Sequence, residues 1–102
     1  LMTEKAVIEV LNQLFEIEKK KNQFQFERID RNIDRLVWLF EQEGYTYQDP
    51  TGELYNETRT DCQATFLSEN EPFVIKETIK PIILKTEDGV STIVQQARVI
   101  IN

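Results

Sequence analysis

Phe26, Ile29, Ile33, Leu36 and Phe40 follow one another at spacings of three, four, three and four residues. A helix turns once in about 3.6 residues, so this spacing lays all five side chains along one narrow seam. Gly44 then supplies a residue that tolerates a left-handed backbone and ends such a helix. Directly behind it the period changes to two: Tyr45 and Tyr47 alternate with Thr46 and Gln48. A chain whose periodicity switches once, from helical to extended, reads as a helical half followed by a strand half, an α+β layout. The boundary falls at Gly44, with residues 1–44 helical and residues 45–102 a small antiparallel β domain.

The helical half begins at Thr3, a capping residue, with Glu4 in the first turn where the helix dipole favours an acid. Val7, Ile8, Val10, Leu11, Leu14, Phe15 and Ile17 form a broad apolar stripe. Residues 18–23 carry no apolar side chain, yet no Gly or Pro interrupts them. One long continuous helix is therefore expected, with two helices broken near Asn22 as the alternative. In the strand half, Cys62, Ala64 and Phe66 alternate with Gln63 and Thr65, and residues 73–79 also read as extended. Pro81 interrupts that stretch, since it cannot donate to a strand ladder. Asp88-Gly89 is the strongest turn signal, and Val99-Ile100-Ile101 the most apolar strand segment. Asp49-Pro50-Thr51-Gly52 reads as a tight turn, because the single Asp followed by Pro lacks the alternating oxygen ligands of a calcium loop.

One helical seam and one small sheet leave the seam little of its own chain to bury against. Keeping Phe26, Ile29, Ile33, Leu36 and Phe40 in water would forgo roughly 1.5–3 kcal/mol each. A homodimer with seam facing seam, as a coiled coil or bundle, is the expected outcome. The alternative is that the N-terminal stripe folds back over it.

The charge balance narrows the function. Lys and Arg total 12 against 18 Asp and Glu, a net charge of −6, with the excess acid mostly beyond residue 44. A nucleic-acid surface needs clustered cations, and the one basic run, Lys19-Lys20-Lys21, follows Glu16 and Glu18 on a helix. The absence of His removes His-based triads, His metal ligands and the usual near-neutral proton shuttle. Acid pairs such as Glu69/Glu71 and Glu87/Asp88 sit in polar loop segments, where water keeps carboxylates ordinary. A binding protein rather than an enzyme is expected, without metal or cofactor. Cys62 is the only cysteine and reads as a small buried hydrophobe of a reducing compartment. No apolar run approaches a membrane span and no signal peptide is visible, so a cytoplasmic location is expected, with Met2 as the natural start.

The order of these segments resembles the C-terminal part of GrpE, the nucleotide exchange factor family of Hsp70 chaperones. That family joins a helical dimer to a small β domain through a Gly, a Pro, a Gly-Glu and an aromatic-Asp pair. Here Ile33, Leu36, Leu39 and Phe40 would form the bundle helix that ends at Gly44. Pro50, Gly52-Glu53 and Tyr55-Asn56 take the following places, and Val74–Ile79 and Ala97–Ile101 match the late strands. The chain departs from the family in three places: Thr60 stands for the usual His, Ile82-Ile83 for a Gly-Tyr, and Thr92 and Gln95 for arginines. The resemblance implies a homodimeric cochaperone that binds an Hsp70 ATPase domain and promotes ADP release. The surface expected to meet the chaperone is the exposed polar set Glu77, Lys80, Lys85, Thr92, Gln95 and Arg98. The lost arginines keep a second reading open: a dimeric adaptor of the same architecture with a different protein partner. Tyr45, Tyr47 and Tyr55 read as packing residues at the joint between the halves.

Overall fold

The computed structural model describes residues 2–24 and 29–102. It is an α+β protein, with two helices, α1 (Glu4–Phe24) and α2 (Asp30–Gln42), ahead of six strands. The strands are β1 (Tyr45–Gln48), β2 (Cys62–Phe66), β3 (Ile75–Lys80), β4 (Ile82–Glu87), β5 (Val90–Gln95) and β6 (Ala97–Ile101). They form two three-stranded sheets, ordered β1-β4-β5 and β2-β6-β3.

A single ribbon makes most of both sheets. Residues 75–101 run as one long hairpin whose tip is Asp88-Gly89, both with positive φ (51° and 78°), as a two-residue turn matched to strand twist requires. Pro81 breaks one arm of the ribbon and Gln96 the other, so the ribbon bends there. Its outer part (β4, β5) enters the first sheet and its inner part (β3, β6) the second. The β half is not wholly antiparallel: β2 runs parallel to β6, with Cys62 opposite Ala97 and Phe66 opposite Ile101. Alternation of side chains is the same in either direction, so periodicity carries no sign of this pairing.

β4 lies between two cores. Ile82 and Leu84 face the second sheet, packing with Cys62, Ile75, Ala97, Val99 and Ile101. Ile83 faces the opposite way and packs with Tyr45 and with Val7, Leu11 and Leu14 of α1. Adjacent strand residues point to opposite faces, which is how Ile82 and Ile83 serve two cores at once. The N-terminal apolar stripe is therefore buried on the β1-β4-β5 sheet. Thr3 caps α1 by accepting from the Ala6 N–H at 3.1 Å. The polar end of α1 continues the same docking face by hydrogen bonding. Glu18 accepts from the Tyr47 hydroxyl, and Lys19 Nζ donates to the Thr78 carbonyl at 3.0 Å.

α2 uses only part of its seam within the chain. Ile33 is buried and Phe40 packs against the α1 core, whereas Ile29, Leu36 and Leu39 are 36%, 41% and 44% exposed. Helical geometry explains the split: Ile33 and Phe40, seven residues apart, share one edge of the stripe, and Leu36 and Leu39 turn toward the other. Phe26 lies outside the described residues. Lys21 Nζ meets Asp30 Oδ1 at 2.5 Å. The ion pair links the last turn of α1 to the first residue of α2. Among the described residues no helix is long and apolar enough to cross a membrane.

Gly44 is fixed twice. Its φ is +90°, and its carbonyl accepts from the Thr86 N–H at 2.8 Å, stitching the end of α2 to β4. A Cβ built at Gly44 would stand 2.6 Å from the Thr86 carbonyl oxygen, whereas one at Gly52 (φ +91°) would meet nothing within 4 Å. Gly44→Ala is expected to cost about 2–3 kcal/mol and Gly52→Ala about 1 kcal/mol, because only the first adds a backbone collision to left-handed strain. Urea unfolding of the two variants measures the gap; equal losses would remove the close approach as the reason for Gly44.

Candidate functional site

The residues expected to meet a partner divide when placed on the ribbon. Lys80 and Arg98 are direct cross-strand neighbours on β3 and β6, both exposed, at the point where the ribbon bends. Glu77 lies further along β3 opposite Ile100 and is also exposed. Thr92 is exposed on β5, directly opposite Lys85.

Lys85 and Gln95 are engaged within the chain. Lys85 Nζ lies 4.1 Å from the centre of the Tyr45 ring and 3.7 Å from Glu87 Oε1. The Tyr45 hydroxyl and the nearby carboxylates push its ammonium pKa up, so it stays charged. Gln95 exchanges two hydrogen bonds with Asn12 of α1, at 2.9 and 3.1 Å, and donates a third to the Pro81 carbonyl at 3.0 Å. That amide ties helix to ribbon at the ribbon's bend, which holds the Lys80–Arg98 surface against a fixed support. The pair is thus two cations beside polar side chains on a two-stranded element tied to α1.

Tyr45 and Tyr47 pack with the α1 core, whereas Tyr55 lies apart from them, beside the second sheet's core and Phe66. Phe15 meets Tyr47 edge to face, with centroids 6.2 Å apart and planes at 79°. Burial pushes the Tyr47 hydroxyl pKa well up, and the Glu18 hydrogen bond and the Glu18 and Asp34 charges add to the rise. Tyr45 donates to Glu4 Oε2 at 3.4 Å. Asp49 closes the turn that follows β1, accepting from the Thr51 N–H at 3.0 Å and the Thr51 hydroxyl at 2.6 Å. Partial burial works to raise the Asp49 pKa, but hydrogen bonds from Thr51 and Thr78 and the Lys19 charge outweigh it and hold the carboxyl below its usual range.

Sequence reasoning missed two features. The first is Arg59, which clips the 53–61 loop. Its Nε and Nη2 donate to both Asp61 oxygens at 2.9 and 3.0 Å, and its Nη1 donates to the Leu54 carbonyl at 3.1 Å and reaches Glu53 at 3.1 Å. Hydrogen bonding from Arg59 holds the Asp61 carboxyl low, while burial, then the hydrogen bond to Asp61 and its charge, push the Cys62 thiol up to about 11. At neutral pH Cys62 is therefore a protonated core residue rather than a nucleophile. The Arg-Thr-Asp spacing was the available signal, but residues two apart face each other only when a turn, rather than a strand or helix, holds them. The second is a cluster of Tyr55, Phe66 and Phe73, which come from three separate segments.

No family model, no curated protein and no solved structure matches the chain.

The Arg59–Asp61 clip gives a pH-dependent expectation. A carboxylate whose folded pKa is depressed stabilises the fold above the ordinary carboxylate range and loses that contribution as pH falls through the folded value. Asp61→Asn is expected to cost about 1–2 kcal/mol at pH 7, with the gap from the parent closing below about pH 4. Denaturant melts across pH 2.5–7 test it, and a gap that does not vary with pH would contradict it.

Proposed function

We propose that this chain is a GrpE-like cochaperone: a homodimer that binds the ATPase domain of an Hsp70-type chaperone and promotes ADP release. The observation that carries the reading is the exposed Lys80–Arg98 pair at the bend of a ribbon braced by α1. The stretch that carries the family resemblance supports it. Gly44 ends α2, Pro50 is buried, and Gly52 and Glu53 run beside Ile75 through hydrogen bonds of 2.8 and 2.9 Å. Each of these residues has a structural duty at the joint between a helical layer and a β domain. Mechanistically, the protein acts by binding the open form of the chaperone's nucleotide cleft more tightly than the closed form. That difference in affinity shifts the chaperone toward the state that releases ADP, without chemistry of the exchange factor's own.

Dimerisation is assigned to the half of the α2 seam that the chain leaves open: Ile29, Leu36 and Leu39. A two-fold axis would set these residues against their copies. The parent chain is expected to sediment as a dimer, and Leu36→Glu with Leu39→Glu as a folded monomer. A monomeric parent at tens of micromolar would end this assignment.

A second reading, a dimeric adaptor with a different protein partner, is favoured by Gln95. It stands in place of a family arginine, and its amide is bonded to Asn12 and Pro81. Release of a fluorescent ADP analogue from an Hsp70 of the same source separates the two. Saturable acceleration by the parent chain, reduced at least about tenfold by Lys80→Glu or Arg98→Glu with the dimer intact, is the expected result. No acceleration from a confirmed dimer would favour the adaptor.

A further inference from the structure

On a different part of the β half, residues 54–57, the end of β2 and residues 68–73 enclose a cleft of about 790 Å³. Its apolar wall is the aromatic cluster. Phe66 stands edge-on to Tyr55 (5.6 Å, 74°) and to Phe73 (5.2 Å, 72°), and is 46% exposed. Leu54, at the same cleft, is 65% exposed. The remaining lining includes Glu57, Glu69 and Glu71 and contains no Lys or Arg. Among the described residues none of these three carboxylates is in an ion pair.

The cleft is held in shape before anything enters it. Tyr55 N–H donates to the Phe73 carbonyl at 2.9 Å, and Leu67 N–H to the Ile101 carbonyl at 2.9 Å. Asn102 accepts from the Ser68 hydroxyl at its carbonyl and from Val74 N–H at its side chain, both at 3.0 Å. A preformed site spends less of its binding energy on ordering itself.

Its chemistry selects a cation on an aliphatic stem. Aromatic ring faces attract ammonium and guanidinium groups, and three unpaired carboxylates add to that attraction while repelling anions. The apolar wall suits the methylene stem of Lys or Arg, which packs along hydrophobic surface while its head stays polar. The volume is that of a site for a whole small ligand, larger than one side chain needs, so a short run of residues fills it.

We propose that this cleft docks a basic peptide segment of a partner protein, in which Lys or Arg alternates with apolar residues. The stem of a basic side chain lies against Phe66 and its head among Glu57, Glu69 and Glu71. The contact is separate from the Lys80–Arg98 surface and would give the protein a second point of attachment.

Calorimetry with three acetylated hexapeptide amides, alternating Leu with Lys, Gln or Glu, tests the proposal. The Lys peptide is expected to bind, the Glu peptide not, and the Gln peptide at least about fivefold more weakly than the Lys peptide. In NMR spectra the Lys peptide should move resonances of Tyr55, Phe66 and Phe73. Glu57→Gln/Glu69→Gln/Glu71→Gln should weaken the Lys peptide about tenfold. Glu9→Gln/Glu41→Gln/Glu43→Gln, with the same net charge, should leave it unchanged, as should Lys80→Glu. No binding of the Lys peptide, equal binding of all three peptides, or equal losses in both triple variants would overturn the assignment. These triple variants alter solvent-exposed acids, so the test does not hang on a core substitution such as Phe66→Ala.

Discussion

Ile82 and Ile83 are neighbours in β4, and each is almost wholly buried, in opposite directions. The rest of the molecule is arranged around that pair. Because strand side chains alternate, a strand with adjacent buried residues needs a packed layer on each face. One layer is α1, the other the β2-β6-β3 sheet. Pro81, itself buried, sits just before the pair and ends the ladder of β3, so the ribbon can leave one sheet and enter the other.

The helices join this frame by different means. α1 docks over its first three turns with apolar side chains and the Asn12 amide, and thereafter with hydrogen bonds at Glu18 and Lys19. A polar contact of this kind contributes little net energy but is costly to break on one side, since the abandoned partner is left desolvated. Such contacts therefore fix orientation more than they add stability. α2 is held more lightly, by Ile33, Phe40 and the Gly44–Thr86 hydrogen bond, and it keeps an apolar edge open. In the proposed dimer that edge is where the second copy completes the core. The chain thus combines a ribbon tied to α1 through Gln95 with a helix edge that leaves Leu36 and Leu39 exposed.

Much of the fold was legible residue by residue. The seam from Ile29 to Phe40, the stop at Gly44, the hairpin tip at Asp88-Gly89 and the interruption at Pro81 are local statements, made by side chains about their own backbone. The placement of the six residues proposed to meet a partner was legible only in part. Lys80 and Arg98 come together because β3 pairs with β6 through a register shift between Thr78 and Lys80, and Gln95 is withdrawn because Asn12 lies more than eighty residues away in the chain but within a hydrogen bond in space. The parallel partner of β6 and the Arg59 clip were not legible. Strand alternation has no direction, and a turn that turns Arg59 onto Asp61 has no period.

The sequence by itself determined where helix ends and strand begins, because that choice is made by periodicity, by the conformational freedom of Gly and by the ring of Pro, all properties of a few consecutive residues. It determined as well an acidic chain without His, which excludes chemistry built on an imidazole. Only the tertiary structure decided which apolar stripe was spent internally and which was left over. α1 gave its stripe to Ile83 and Tyr45; α2 kept part of its own. It also gathered Tyr55, Phe66 and Phe73 from three segments into one acidic-rimmed cleft. Such outcomes depend on which surfaces meet, and burial is a property of pairs of distant surfaces that no single stretch of sequence carries.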